Sequence, residues 1–206
     1  PLSFLICSDM VIPPITTKSK GLHMQYGRHN INDADIEAVV RVLKSDYITS
    51  GPEVPLFEKN ISEFCGVKYG VAVNSGSSAL ECALSAINVR GCKVVVPNIT
   101  FVATANAVTN QGGEVVLCDV TDSGHIDVNA LGRLLYGSEN IVAVISVDFA
   151  GIPCDYDKIN ALCVRDNIVH ISDAAHSLGA FYKSNQSGKF EPVGSLADIT
   201  CFSFHP

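Results

Sequence analysis

Residues 92–118 read CKVVVPNITFVATANAVTNQGGEVVLC, and this stretch indicates the fold. Its first and last parts, CKVVVPN and the start of GEVVLCDV, are short, continuous apolar runs rich in valine. Such runs are typical of strands that are buried on both faces. FVATANAVTN lies between them as a helical stretch. A strand, a helix and a second strand in this order predict a parallel sheet.

The same alternation extends over most of the chain. Further apolar runs are YGVAVN, NIVAVISVDF, NIVHISDA and DITCFSF, and further helical stretches are SSALECALSAI, DVNALGRLLY and YDKINALCVRD. Two amphipathic helices are predicted ahead of them, the first capped by Asn32 or Asp33 and the second ended by Gly66. YKSNQSGKFEPVGS predicts a surface hairpin or loop. The predicted fold class is α/β, a mostly parallel sheet with helices on both faces and ligands at the carboxyl ends of its strands.

Composition restricts the classes of function. The chain has 206 residues, 47% of them hydrophobic and 17% charged, which is enough for one sizeable core. A net charge of −7 with only 14 Lys and Arg excludes nucleic acid as an expected partner, because phosphate neutralisation needs a basic face. The eight cysteines have no zinc-binding spacing, so no metal site is expected, and buried free thiols in a reducing cytoplasm are predicted.

The N-terminal residues differ from the rest. Residues 1–23 start with proline, and their apolar stretch is too short to span a membrane. They are interpreted as a leader that is not native to the protein or is variable, with 24–206 as the folded domain. A signal peptide is the alternative, against which the missing basic n-region and the many cysteines count.

The motif NSGSSAL follows a predicted strand and opens a helix. Gly76 allows a tight turn, after which Ser77 and Ser78 present N–H groups and hydroxyls at a helix N-terminus, as a phosphate cradle does. The alternative is an ordinary serine cap beside a turn glycine. The motif is neither a Walker loop nor GxGxxG, so a dinucleotide is disfavoured.

Four further residues follow strands at the same expected edge. Asp173 is placed to pair with a cationic ring nitrogen, and His176 to lie against a flat ligand; helix capping and a core histidine are the alternatives. Phe101 supplies an aromatic ring, unless it packs in the core, and Ser203 supplies a hydroxyl. A phosphate cradle, a planar aromatic side chain and an acid for a ring nitrogen together fit pyridoxal 5′-phosphate (PLP), which acts as an electron sink.

VAVNSGSSAL, VVVPNITFVATANAV, ISDAAHSLGA and ADITCFSFHP together resemble the DegT/DnrJ/EryC1/StrS family of sugar aminotransferases. The resemblance implies the large domain of a fold-type I PLP enzyme, followed by a smaller C-terminal domain that is absent here. It also implies roles for individual residues. Asp173 would pair with the pyridine nitrogen, His176 and Phe101 would lie on opposite ring faces, and Gly76, Ser77 and Ser203 would hold the phosphate beside Ser78. The residues implied for the sugar-nucleotide pocket are Tyr26, Asp46, Tyr47, Ile48 and Thr49.

YGRHNI, LKSDYITSGPEVPLFE and SVDFAG look most like the branch that aminates C4 of a UDP-linked 4-keto-6-deoxy-N-acetyl sugar on the way to pseudaminic acid. The resemblance further implies glutamate as amino donor, a cytoplasmic homodimer and no membrane contact. The Schiff-base lysine is expected at position 208, two residues past Pro206, so these 206 residues are expected to be inactive alone.

Two alternatives to the aminotransferase remain open. A PLP-dependent sugar 3-dehydratase of the same fold would carry histidine at position 208. A non-catalytic truncated domain would only dimerise or bind ligand.

Overall fold

The structure is a computed structural model that describes residues 4–6, by their backbone alone, and residues 30–205. The strands are β1 Phe4–Ile6, β2 Tyr69–Gly70, β3 Lys93–Pro97, β4 Glu114–Cys118, β5 Ile141–Val147, β6 Val169–Asp173, β7 Phe181–Lys183, β8 Phe190–Pro192 and β9 Ile199–Cys201. The helices are α1 Asp33–Leu43, α2 Glu53–Cys65, α3 Gly76–Ala86, α4 Val102–Asn110, α5 Val128–Gly137 and α6 Tyr156–Asp166, with a 3₁₀ turn at Phe149–Gly151. Seven strands form one sheet in the order β2-β1-β9-β6-β5-β3-β4, and every neighbouring pair is parallel.

The sheet is covered by helices on both faces, which confirms the predicted fold class. Val94 and Val96 of β3 belong to one buried cluster with residues of α3 and α4. Val95, between them, belongs to a second cluster with residues of α5 and α6. Because successive side chains of a strand point to opposite faces, the valine run of β3 serves both cores.

The first predicted strand is shorter than YGVAVN suggested. Only Tyr69 and Gly70 pair, with β1. The N–H of Ala72 donates instead to Glu58 Oε1, at 2.8 Å, so the backbone leaves the sheet before the turn at Asn74. The strand β1, in the segment interpreted as a leader, was not predicted; its backbone lies parallel between β2 and β9.

The predicted caps and hairpin are confirmed. Asn32 caps α1 through a capping box with Asp35, and Gly66 ends α2 in the left-handed conformation with φ +69°. β7 and β8 pair antiparallel as a separate hairpin. Both caps are local in sequence, which is why the pattern alone located them.

The described residues also bear on the predicted free cysteines and on possible membrane-spanning helices and metal sites. Of the cysteines in 30–205, all are free thiols, and those buried are Cys65, Cys118, Cys154, Cys163 and Cys201. Cys82 is exposed and Cys92 half-buried. Over this range no helix combines the length and apolarity needed to cross a bilayer. Nor do the described histidine, cysteine and acidic side chains gather into a group of three or more that could hold a metal ion.

Candidate functional site

The start of α3 forms the turn predicted to bind phosphate. Ser75 caps the helix, and its Oγ accepts a hydrogen bond from the N–H of Ser78 at 3.1 Å. The hydroxyl of Ser78 donates to Asn74 Oδ1 at 2.7 Å, and this hydrogen bond stabilises the turn. Gly76 and Ser77 are the first residues of the helix, where N–H groups have no acceptor within the helix. Ser77 is exposed, so the N-terminus of α3 is open to an anion.

Ser203 lies directly against this turn. A Cβ atom built on Gly76 would lie 3.1 Å from Ser203 Cβ and 3.4 Å from its Oγ. A larger residue at position 76 would therefore push Ser203 away by a few tenths of an ångström, and glycine lets the start of α3 and the segment after β9 approach this closely without that shift. The half-buried hydroxyl of Ser203 adds a hydrogen-bonding group beside the helix N-terminus, as the cradle prediction requires.

Asp173 ends β6 and is 6% exposed. Its Oδ2 accepts from Thr104 Oγ1 at 2.8 Å, and its Oδ1 accepts from the N–H of Ala175 at 3.3 Å. Burial raises the pKa of the Asp173 carboxyl above its usual value, and the hydrogen bond from Thr104 opposes that rise. No lysine or arginine in the described part of the chain pairs with it. A buried carboxylate that has no such partner favours a cationic ligand.

The strand pairing brings Asp173 towards the cradle. Asp173 is in register with Cys201 of β9, and the N–H of Ala174 donates to the Cys201 carbonyl at 2.8 Å. Ser203 follows two residues later. The acid and the phosphate turn therefore share one edge of the sheet, as the sequence predicted.

His176 and Phe101 are both exposed at this edge. Phe101 is 74% exposed, so it does not pack in the core. It is the N-cap residue of α4, one helical turn before Thr104, which contacts Asp173. His176 lies close enough to Asp173 for its charge to lower the pKa of that carboxyl. Neither ring has a fixed role in packing, and both are available to a planar ligand.

Asp148 holds the turn that carries His176. It is 1% exposed and accepts from Ser177 Oγ at 2.6 Å, from Tyr156 Oη at 2.8 Å and from the N–H of Cys154 at 2.9 Å. The sequence did not reveal this role of Asp148. Nothing in SVDFAG could have revealed it, because its partners lie outside this motif, at Cys154, Tyr156 and Ser177.

Gly151 ends the 3₁₀ turn at Phe149–Gly151 and lies close to the turn that carries His176. Its φ is +81°, and a Cβ atom there would lie 2.9 Å from the carbonyl oxygen of His176. We expect Gly151→Ala to lower the free energy of unfolding by roughly 1–3 kcal/mol, since it adds left-handed strain to a backbone clash. Denaturant unfolding measures this loss.

Gly66→Ala is the matched control for Gly151→Ala. Gly66 has φ +69° with nothing within 4 Å of the added Cβ, so the control retains the strain without the clash. Equal losses for the two variants would show that Gly151 does not press against the His176 turn.

The hydrogen bonds of the predicted sugar-nucleotide residues between positions 46 and 49 are local and do not reach this edge of the sheet. Asp46, Tyr47, Ile48 and Thr49 are exposed between α1 and α2. The side chain of Tyr47 lies against Gly51, and its carbonyl accepts from Ser45 Oγ at 3.0 Å. Tyr26 lies outside the described residues. Their roles stay predictions.

A family model for the DegT/DnrJ/EryC1/StrS aminotransferase family matches residues 29–206. The chain belongs to this family. A curated family relative, the UDP-4-amino-4,6-dideoxy-N-acetyl-beta-L-altrosamine transaminase of Campylobacter jejuni, is 42% identical over 184 residues, which are 89% of this chain and 47% of that protein. The chain thus spans about half the length of the curated relatives it matches.

Solved structures show the same fold. Spr1654 of Streptococcus pneumoniae, in its PLP form, superposes with a TM-score of 0.81 at 32% identity, over 88% of this chain and 49% of that one. Helicobacter pylori PseC, an aminotransferase of pseudoaminic acid biosynthesis, gives 0.79 at 32% identity, over 88% and 47%. The architecture of this chain is therefore that of aminotransferases of its family.

Proposed function

We propose that this chain forms the cofactor-binding part of a PLP-dependent sugar aminotransferase. The observation that carries the proposal is the shared sheet edge, where the open N-terminus of α3 meets Ser203 and the buried Asp173 has no lysine or arginine partner in residues 30–205. Family membership supports it, and a structure of Spr1654 was solved in a PLP form.

The residues present fit this cofactor. The N–H groups of Gly76 and Ser77 and the hydroxyl of Ser203 would bind its phosphate, because a helix N-terminus favours a dianion. Asp173 would hold a proton on the ring nitrogen, since an ionised carboxylate stabilises a neighbouring cation. Phe101 and His176 would orient the ring from its two faces. Bound there, PLP supplies an electron sink for the breaking of bonds at the amino carbon.

The expected substrates are an amino acid donor, glutamate, and a UDP-linked 4-keto-6-deoxy-N-acetyl sugar that accepts the amino group at C4. The names of the Campylobacter and Helicobacter relatives support this sugar class. We assign recognition of the sugar nucleotide to Tyr26 and to the exposed residues 46–49. The homodimer and the cytoplasmic location are part of the same proposal.

The sugar preference tests this proposal for the whole protein. We expect amino transfer from glutamate to the UDP-linked 4-keto sugar with a kcat/KM roughly tenfold or more above that for GDP-linked 4-keto sugars, because the pocket must discriminate by direct contacts. Steady-state kinetics over a panel of UDP- and GDP-sugars measure the ratio. A preference for a GDP-sugar would reject the assigned substrate but leave the cofactor site standing.

A further inference from the structure

Two threonine hydroxyls form a hydrogen-bonded chain that ends on Asp173. Thr100 Oγ1 donates to Thr104 Oγ1 at 2.7 Å, and Thr104 Oγ1 donates to Asp173 Oδ2 at 2.8 Å. Thr104 is fully buried, and 69 residues separate it from Asp173. The cofactor assignment above does not use either threonine.

The direction of this chain depends on the charge of Asp173. An ionised carboxylate only accepts hydrogen bonds, so Thr104 must donate to it. The oxygen of Thr104 is then free to accept from Thr100, and each hydrogen bond polarises the next. The arrangement therefore stabilises the ionised form of Asp173 in a place where burial favours the neutral form.

We propose that Thr104, oriented by Thr100, is a positioning residue that keeps Asp173 ionised and fixes its carboxylate for the cofactor's ring nitrogen. This inference rests on the proposed function. Thr104 touches neither substrate nor cofactor in this role and acts only through Asp173. Because Thr104 and Phe101 are both at the start of α4, the same turn also sets the aromatic side chain relative to the acid.

Other charged groups act on Asp173 as well. His176 lowers the pKa of the Asp173 carboxyl, and Asp148 raises it. The buried thiol of Cys201 lies within electrostatic reach of the same carboxylate. All three groups are unchanged in a Thr104 variant. Such a variant therefore measures the effect of the Thr104 hydroxyl on Asp173 alone.

The first test needs no cofactor. Carbon-13 NMR follows the titration of the Asp173 carboxyl in wild type, Thr104→Val and Thr104→Ser. Valine has the shape of threonine without the hydroxyl, so Thr104→Val should raise the pKa of Asp173, and Thr104→Ser should restore the wild-type titration. Thr109→Val is the matched control, because Thr109 is on the same helix but donates to Asn106 of that helix. An Asp173 titration that is the same in Thr104→Val and wild type would overturn the inference.

The second test uses PLP and an analogue with carbon in place of the ring nitrogen. Thr104→Val should bind PLP about tenfold or more weakly, the effect of a lost hydrogen bond to a charged group. Its affinity for the analogue should match wild type, because the analogue has no nitrogen for Asp173 to pair with. General damage to the site would weaken both ligands equally and would contradict the inference.

The two proposals fail in different ways. Wild type that binds neither PLP nor the analogue would overturn the proposed function and, with it, the role of Thr104 towards the cofactor. Wild type that binds PLP, with Thr104→Val binding it equally well, would overturn the inference alone.

Discussion

Asp173→Asn is expected to weaken PLP binding by roughly 30-fold to several thousandfold, the effect of removing one partner of a buried charge pair. Asparagine has nearly the shape of aspartate, and it can still accept a hydrogen bond from Thr104. Its neutral amide cannot hold a proton on the ring nitrogen. Titration of the chain with PLP, followed by absorbance, measures the affinity.

Asp119→Asn is the matched control for this loss. Asp119 also follows a strand at the same edge of the sheet, but it is exposed and accepts from Asn98 and from the N–H of Val120. We expect less than about a twofold change in PLP affinity there, as for most surface substitutions. Equal affinity of Asp173→Asn and wild type would show that Asp173 does not meet the ring nitrogen.

Asp173→Asn should weaken PLP binding but stabilise the cofactor-free chain at neutral pH. Burial raises the pKa of Asp173 in the folded state, so its contribution to stability is present at low pH and is lost as pH rises through that pKa. Asparagine removes this loss. The free energy of unfolding of Asp173→Asn, relative to wild type, should therefore increase from acid to neutral pH, as denaturant unfolding at several pH values would show.

Asp148→Leu is expected to lower the free energy of unfolding by about 2–4 kcal/mol, because it removes the acceptor of three buried hydrogen bonds. The donors are the hydroxyls of Ser177 and Tyr156 and the N–H of Cys154. Each kcal/mol lost from the free energy of unfolding lowers the melting temperature of a chain of this size by about 2–4 °C. Thermal unfolding followed by circular dichroism measures the change.

Asp148→Asn separates the hydrogen bonds from the charge. Its amide retains one accepting oxygen, and the hydroxyls of Ser177 and Tyr156 can turn to accept from its NH₂ group. Burial raises the pKa of the Asp148 carboxyl, so its ionisation is unfavourable in the fold and asparagine loses little with the charge. We expect Asp148→Asn to be clearly more stable than Asp148→Leu. Equal losses would mean that the donors do not depend on this acceptor.

The parts of the fold that could be predicted from sequence are those set by near neighbours. Ser75 caps α3 through a residue three positions away, and Gly66 ends α2 through its own backbone conformation. The valine runs of β3 and β4 form strands because hydrophobic side chains pack on both faces of the sheet. Such features depend on spacing, and spacing is visible in the sequence.

What the sequence did not reveal depends on contacts between distant residues. The hydrogen bond from Thr104 to Asp173 joins residues 69 positions apart. The carboxylate of Asp148 accepts hydrogen bonds from the buried hydroxyls of Ser177 and Tyr156, 29 and 8 residues away. The early end of β2 follows from Glu58, 14 residues away from Ala72. No local pattern contains these partners.

The location of bound PLP would decide the cofactor assignment most directly. A crystal structure of the chain with PLP should place a phosphate oxygen within about 3.2 Å of the Ser77 nitrogen and of Ser203 Oγ. It should also place the ring nitrogen within about 3.2 Å of an Asp173 carboxylate oxygen. PLP bound elsewhere, such as beside Arg133 in the groove between β4 and α5, or with its ring nitrogen turned away from Asp173, would contradict the assignment.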